Sequence, residues 1–223
     1  MSEPEFVPYD LPHRSPQESL ERAVGFAAEM AGRRSVRAFR SDPIPAGVLD
    51  ACIRAAGSAP SGAHQQPWSF VVVTDPELKR EIREAAEEEE RANYGGRMTE
   101  EWLEVLAPLG TDANKEFLEL APALIVVFRQ AYGFAEGQKK TYYYTQESVG
   151  IALGFLIVAL HQAGLASLTH TPSPMGFLER VLERPTNERA YVLLPVGYPA
   201  EDCTVPRLER KDIEAIRTWC GAR

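Results

Sequence analysis

The spacing of hydrophobic residues predicts helices in the first quarter of the chain. Apolar side chains recur three and four residues apart over residues 19–32 and again over 45–57, which is the repeat of one helix face. Ser15 and Ser19 are candidate caps for the first helix, because a serine hydroxyl there can accept a backbone N–H. Residues 1–18 are rich in proline and show little periodicity, so we expect an extended arm, either loosely ordered or wrapped over a partner.

Two longer helices are predicted further along the chain. The first covers residues 77–91, with Asp75 placed to cap it and Pro76 at its first position, where a missing N–H costs nothing. The second covers residues 142–164 and is apolar on nearly every side. Such a helix is buried either in a core or in a subunit interface, and the sequence leaves both open.

Short apolar runs between the helices predict the strands of a sheet. The run at residues 69–73 is expected to be a buried strand. The remaining predicted elements are strands at 123–128, 166–168 and 190–196, a helix at 177–182 and a terminal helix at 212–219. Because no repeat or interdomain linker separates these elements, we expect one domain of helices and strands over residues 19–223.

Composition and charge narrow the classes of protein to consider. The 223 residues are 44% hydrophobic and 25% charged, as in an ordinary globular protein, and the net charge of -8 argues against nucleic-acid binding. The longest apolar stretch, residues 149–160, is too short to span a membrane, and no signal peptide or anchor is predicted. The three cysteines, Cys52, Cys203 and Cys220, lack the spacing of a metal site or a disulfide framework. We therefore expect a cytoplasmic protein with no membrane, nucleic-acid or metal partner.

Several common catalytic motifs are missing from the sequence. There is no GxGxxG or GxxxxGK[ST] loop for a nucleotide, no HExxH pair for zinc and no GxSxG turn for a serine nucleophile. Any catalysis is therefore expected to use a cofactor that is held in some other way.

An arginine cluster is the first candidate binding site. Arg33, Arg34 and Arg37 stand within five residues, beside Ser35, in an otherwise acidic chain. The planar guanidinium group suits a phosphate, which it can bind through two hydrogen bonds. The alternative is that the cations only offset the dipole at the end of a helix.

Two loops are further candidates. Ser61 and Gly62 precede His64 at a bend where backbone N–H groups can face a ligand, although an ordinary turn explains the same residues. Thr169 and Thr171 follow a short predicted strand and could place hydroxyl groups against a cofactor ring, or they could simply form a turn.

The acidic run at residues 87–90 is the last candidate. Four consecutive glutamates on a helix favour a solvated face. Glu90 and Tyr94, however, are four residues apart and share one face. Together with Lys115, a carboxylate and a phenol could hold an ammonium, a ring and a carboxylate, but the spacing alone does not bring the three together.

The motifs RRSVR, APSGAHQQPWSFVVV, EEEERANY, KEFLELAP and LLPVGYP with TVPRLERK resemble the flavin-dependent nitroreductase superfamily and, within it, the iodotyrosine deiodinase branch. The resemblance covers roughly residues 33–216. It implies an α+β fold with a mixed sheet flanked by helices, and an intertwined homodimer with FMN at the subunit interfaces. The residues that it places around FMN are Arg33, Arg34, Ser35, Arg37, Ser61, Gly62, Thr169, His170, Thr171 and Arg210.

The resemblance also implies roles at the reacting centre. The Thr169 hydroxyl would bond the flavin N5, and the Ala63 backbone N–H would receive the phenolate oxygen of a halotyrosine. Glu90 would pair with the substrate ammonium, Lys115 with its carboxylate, and Tyr94 would close over the ring. Residues 93–111 would form a lid, hinged at Gly95 and Gly96. His170 stands where a small hydroxylated residue is expected.

Three functions follow as hypotheses. The first is FMN-dependent reductive dehalogenation of iodo-, bromo- or chlorotyrosines to tyrosine and halide, with NAD(P)H or a separate reductase as electron donor. The second is a broad NAD(P)H-dependent nitro or quinone reductase, in which the Glu90 face is plain solvated helix. The third is a flavin-binding or halotyrosine-sensing protein with little turnover.

Overall fold

The computed structural model describes residues 3–221, which form two compact units, one up to Arg33 and one from Arg34 onwards. The first unit contains helix α1, Pro16–Gly32. The Ser15 hydroxyl accepts the Glu18 backbone N–H at 3.2 Å, and the Glu18 carboxylate accepts the Ser15 backbone N–H at 2.8 Å. This reciprocal capping box confirms Ser15, rather than Ser19, as the cap of the predicted helix.

Helix α1 has an apolar stripe that the chain leaves exposed. None of its residues is buried, and Leu20 and Val24 are 59% and 60% exposed. Of the predicted arm, Met1 and Ser2 lie outside the described residues. Residues 3–15 carry no regular structure, and residues 16–18 form the first turn of α1.

The second unit contains the sheet and the remaining helices. Its elements in chain order are α2 Ala46–Gly57, β1 Trp68–Val73, α3 Pro76–Ala92, α4 Glu100–Leu106, α5 Phe117–Leu120, β2 Ala123–Gln130, β3 Tyr132–Ala135, β4 Gln138–Thr141, α6 Thr145–Gln162, β5 Ala166–Ser167, α7 Gly176–Val181, β6 Glu188–Gly197 and α8 Ile213–Ile216.

The main sheet has the strand order β1-β2-β6-β5, and each of these neighbouring pairs is antiparallel. Strands β3 and β4 form a separate hairpin. In residues 3–221, the parallel component of the expected mixed sheet is limited to an isolated bridge between Ser35 and Ser167. That bridge ties the arginine cluster to the edge strand β5.

Helices cover both faces of the sheet, and β2 explains why. Successive side chains of a strand point to opposite faces, so Ile125 and Val127 enter a core with α2 and α6. Leu124, Val126 and Phe128 enter a second core with α3, α5 and α7. A strand with two buried faces needs a continuous apolar run, which is what residues 123–128 provide.

Two sequence predictions need correction. Strand β1 lies at the edge of the sheet, paired with β2, and of its residues only Val73 is buried. It is therefore not the buried strand expected from its run of apolar residues. Helix α6 begins at Thr145 rather than at residue 142, because Tyr144 has left-handed backbone angles. No helix within residues 3–221 is both long and apolar enough to cross a membrane.

Candidate active site

The C-terminal turn of α3 carries a buried carboxylate that faces a buried amine. Glu90 is 7% exposed and Lys115 is 2% exposed, and Lys115 Nζ lies 3.8 Å from Glu90 Oε2. Helix α3 begins as predicted, since the Asp75 carboxylate accepts the Leu78 backbone N–H at 2.8 Å. The structure thus brings together two residues that lie 25 positions apart in the sequence.

Tyr94 joins this pair. Lys115 Nζ lies 5.7 Å from the centroid of the Tyr94 ring, and the Tyr94 hydroxyl donates to the Thr111 carbonyl at 3.1 Å. Lys115 also donates to the Thr111 hydroxyl at 3.3 Å and to the carbonyl of Asp112. The three candidate substrate residues therefore form one cluster, closed on one side by residues 111–112.

Burial acts in opposite directions on the two charges. It raises the pKa of Glu90, and the neighbouring Lys115 ammonium opposes part of that rise. It lowers the pKa of Lys115, and the carboxylates of Glu90 and Asp112 oppose that change. Each ion therefore helps to keep the other charged in a site largely removed from water.

A cavity of about 290 Å³ opens beside Glu90. The residues that line it are Glu90, Asn93, Arg97, Met98, Trp102, Thr171, Ser173 and Pro174. The cavity thus connects the acidic residue with Thr171, whereas Thr169 lies outside its lining. Asn93, which the sequence did not single out, is buried and donates to the Ser173 carbonyl at 3.0 Å.

The expected lid, residues 93–111, is largely helical in the structure. It contains a π turn at Asn93–Arg97, helix α4 and a 3₁₀ turn at Ala107–Leu109. Of its two predicted hinge residues, Gly96 has a φ of 139°, a value that favours glycine. Whether the segment moves stays a prediction.

His170 lies between the two candidate threonines and points away from solvent. Its backbone pairs with Leu193, through bonds of 2.8 and 3.0 Å, so Thr169 and Thr171 face outwards while the imidazole is buried. The ring meets Phe117 edge-on at 5.8 Å. Burial lowers the pKa of His170 from 6.5 to about 3, and the charges of Lys115 and Arg37 add to that effect. His170 is therefore neutral near pH 7.

Along the sequence, the arginine cluster spans the boundary between the two units. Arg33 ends the first unit, where its N–H bonds the Met30 carbonyl at 3.2 Å. Arg34 begins the second and donates to the Pro206 carbonyl. Arg37 Nε and His170 Nε2 are buried and lack a hydrogen-bond partner among the described residues. Arg210 is exposed in the segment that follows β6.

The loop at residues 61–66 has an unusual backbone. Ala63, His64 and Gln66 all have φ values near 50°, which non-glycine residues rarely adopt and which are often retained at functional sites. The Gly62 N–H donates to the Ser148 hydroxyl at 3.2 Å, and Ser61 Oγ accepts the Gln66 N–H at 2.9 Å. Within residues 34–221, no hydrogen bond, ion pair or ring contact joins this loop to Glu90 or Lys115.

The acidic run does not form the solvated face that its composition favours. Glu87 accepts the Lys115 backbone N–H at 2.8 Å, and Glu89 Oε2 lies 2.6 Å from Arg97 Nη1. Glu90 is buried, and Glu88 alone of the four is exposed. The prediction of a solvated face is therefore wrong for most of the run, because residues 97 and 115 fold back over it.

Comparison with known proteins agrees with this architecture. The model of the nitroreductase family matches residues 30–198, and the chain belongs to that family.

Individual relatives confirm the branch of the family that the motifs indicate, that of the iodotyrosine deiodinases. The chain is 55% identical to iodotyrosine deiodinase of Haliscomenobacter hydrossis over 214 residues, which cover 96% of each protein. It is 46% identical to iodotyrosine deiodinase 1 of Homo sapiens over 214 residues, covering 95% of this chain and 74% of that protein. A crystal structure of oxidized iodotyrosine deiodinase bound to FMN and 3-iodo-L-tyrosine matches with a TM-score of 0.71 and 32% identity, over 89% of this chain and 97% of that one.

Proposed function

We propose that this protein is an FMN-dependent reductive dehalogenase of halotyrosines, which converts iodo-, bromo- or chlorotyrosines to tyrosine and halide. The observation that carries the proposal is the buried Glu90–Lys115 pair beside the Tyr94 ring. A reductase of simple nitroaromatics or quinones has no use for two buried opposite charges, because its substrates carry no zwitterion.

The pair is suited to an amino-acid substrate. The ammonium of a halotyrosine pairs with Glu90 and its carboxylate with Lys115, so each protein charge exchanges one partner for another. Since both residues are already removed from water, little further desolvation is required. Tyr94 then covers the aromatic ring. The cavity of about 290 Å³ offers space beside Glu90, one of these two charges.

The described residues fit FMN. Arg37 Nε and His170 Nε2 are buried polar atoms with no hydrogen-bond partner within residues 3–221, and such atoms are normally hydrogen-bonded. A flavin supplies a phosphate and several ring acceptors for groups of this kind. We propose that the residues that hold it are Arg33, Arg34, Ser35, Arg37, Arg210, Thr169, His170 and Thr171, with Ser61 and Gly62 from a second subunit.

The chain's own groups prepare the substrate for reduction. FMN, when bound, supplies the two electrons which, with one proton, replace the halide by hydrogen. The Ala63 backbone N–H donates to the phenolate oxygen, which an ortho halogen makes available near neutral pH. The outward-facing hydroxyls of Thr169 and Thr171 would hold the flavin, and Thr171 faces the cavity with Glu90. The lid residues exclude water.

We also propose a homodimer. Besides the exposed stripe of α1, helix α6 leaves Ile151 and Phe155 at its surface, 44% and 42% exposed. Large exposed apolar faces of this kind mark protein interfaces. A second subunit would also bring its own loop with Ala63 to the site, since within residues 34–221 of one chain this loop makes no hydrogen bond, ion pair or ring contact with Glu90 or Lys115. A cytoplasmic location, supported by three unpaired cysteines, and an NAD(P)H or reductase electron donor complete the proposal.

An anaerobic turnover experiment tests the function. The protein is loaded with FMN, reduced with dithionite and mixed with 3-iodotyrosine, and tyrosine is measured by chromatography. We expect tyrosine in at least stoichiometric amount. Glu90→Gln and Lys115→Ala should weaken 3-iodotyrosine binding at least tenfold, since each leaves a buried charge unpaired. Glu88→Gln, in the same run but exposed, is the matched control.

Two results would contradict the proposal. One is the absence of tyrosine at full flavin occupancy. The other is rapid reduction of nitroaromatics by NADPH without any halotyrosine binding, which would make the protein a broad reductase.

A further inference from the structure

A row of charged side chains on helix α3 binds the segment that carries Lys115. Lys79 Nζ donates to the carbonyls of Glu119 and Ala121 at 2.9 and 2.7 Å. One turn later, Arg83 Nε lies 2.9 Å from Glu119 Oε2. These contacts hold α5 and the residues after it against α3. The row continues towards the active site, where its next member is Glu87.

Glu87 holds the beginning of the same segment. Its Oε1 accepts the backbone N–H of Lys115 at 2.8 Å, and its side chain is only 12% exposed. Arg83 Nη1 lies 3.7 Å from Oε1, and Arg91 Nη1 lies 3.8 Å from Oε2. The carboxylate therefore lies within ion-pair distance of two cations from its own helix while it binds the backbone of Lys115.

Lys115 has no regular secondary structure of its own to fix its position. It follows the irregular residues 110–114 and precedes the four-residue helix α5. Glu87 and Glu90 lie three residues apart on one helix, so a single rigid element holds the Lys115 backbone and faces the Lys115 ammonium. The 3.8 Å separation of the pair thus depends on Glu87 as well as on Glu90.

We propose that Glu87 is a positioning residue that sets the Lys115 ammonium against Glu90 and thereby makes the site selective for amino-acid zwitterions over simple halophenols. The inference rests on the proposed function. Glu87 acts through Lys115 and touches neither substrate nor cofactor. Its removal should therefore affect ligands that use Lys115 and spare ligands that do not.

Binding titrations test this with matched variants. The oxidised, FMN-loaded protein is titrated with 3-iodotyrosine and with 2-iodophenol, which lacks both charged groups, and flavin fluorescence is followed. Glu87→Ala should weaken 3-iodotyrosine binding about tenfold, the usual scale for a hydrogen bond to a charged group, and change 2-iodophenol binding by less than about twofold. Glu87→Gln keeps an acceptor oxygen and should stay within about threefold of the wild type. Glu88→Ala, the exposed neighbour, should change neither ligand.

A double-mutant cycle separates positioning from general damage to the fold. In a Lys115→Ala background, Glu87→Ala should have no further effect on 3-iodotyrosine binding. Three results would overturn the inference. Glu87→Ala could weaken the binding of both ligands equally, or it could weaken 3-iodotyrosine binding as much in the Lys115→Ala background as in the wild type. The third is an unchanged 3-iodotyrosine affinity in the Glu87→Ala single variant.

The two proposals fail in different ways. Release of tyrosine from 3-iodotyrosine by the wild type tests the function alone. If the wild type does not bind 3-iodotyrosine, hydrogen exchange of the Lys115 backbone amide still tests the positioning. We expect faster exchange in Glu87→Ala than in the wild type and in Glu88→Ala, and equal exchange rates would refute the role of Glu87.

Discussion

The chemistry of the candidate site depends on a few buried ionisable residues that influence one another. Glu90 and Lys115 lie 3.8 Å apart, and the charges of Lys115 and Arg37 add to the burial that lowers the pKa of His170. The sequence allowed Glu90 and Tyr94 to be paired, because helical spacing puts them on one face. It could not show that Lys115 joins them, because that contact depends on how residues 107–121 fold back.

The pH dependence of 3-iodotyrosine binding should show the raised pKa of Glu90 and the lowered pKa of Lys115. Binding requires ionised Glu90, so affinity falls as the pH drops through a pKa that burial has raised above its ordinary value. It also requires charged Lys115, so affinity falls again as the pH rises through a pKa lowered by burial. Dissociation constants measured from about pH 4 to about pH 10 check this. Glu90→Gln should remove the contribution of Glu90 to the loss of affinity at low pH, where only the titration of the substrate phenol remains, and should keep the loss at high pH. Glu88→Gln should keep both losses.

His170 should make the fold sensitive to acid. The unfolded chain binds a proton at His170 below about pH 6.5, whereas the folded chain does not until about pH 3, so stability falls as the pH drops through the upper value. Between pH 7 and pH 5 this costs about 2 kcal/mol. His170→Asn should remove that part of the difference in unfolding free energy, measured by urea denaturation at the two pH values. An unchanged difference would show that the buried imidazole titrates normally.

At the scale of elements, helices with clear caps were predicted to within a few residues, while features set by neighbours were not. Ser15 and Asp75 act as caps because capping is a local interaction. The position of β1 at the edge depends on the strand order of the sheet, so the apolar run of β1 alone could not predict it. The hairpin β3–β4 was missed because Gln138–Thr141 contains two lysines, which are uncommon in strands. Its turn, Glu136 and Gly137, both with positive φ, is the signal that could have revealed it.

The loop at residues 61–66 should tolerate no side chain at Gly62. A Cβ there would lie 2.6 Å from the Tyr143 carbonyl oxygen, and Gln65 holds that segment through the Tyr143 N–H at 2.8 Å. We expect Gly62→Ala to destabilise the protein by about 1–3 kcal/mol and to weaken FMN retention. Gly57→Ala is the control, because that helical position has open space around it and should be neutral or slightly stabilising. Thermal unfolding and flavin content after gel filtration measure both effects.

At the scale of the whole molecule, the exposed apolar faces of α1 and α6 are the features that bear on the proposed dimer. The sequence left open whether the long helix is buried in a core or in an interface, and the structure shows one face in the core and an apolar face that is exposed in the single chain. Val149, Leu156 and Leu160 lie in the core, while Ile151 and Phe155 face outwards. The sequence alone could not separate the two faces, because both are apolar.

A charge on the outer face of α6 should therefore separate the subunits. Phe155→Lys is expected to give a monomer that has lost FMN, since the residues that hold the flavin would come from two chains. Light scattering during gel filtration gives the mass, and absorbance gives the flavin content. Glu84→Lys, on the exposed side of α3, is the control. A dimeric, flavin-loaded Phe155→Lys protein would place the interface elsewhere.

The unburied helix α1 also has a consequence for the order of events during folding. A lone helix of 17 residues is only marginally stable in water, so α1 becomes persistently helical only when it gains a surface to pack against. If that surface belongs to another subunit, the last helical signal to appear on refolding will follow second-order kinetics. Its rate will then rise with chain concentration, while the formation of the two cores around β2 will proceed at the same rate at every dilution.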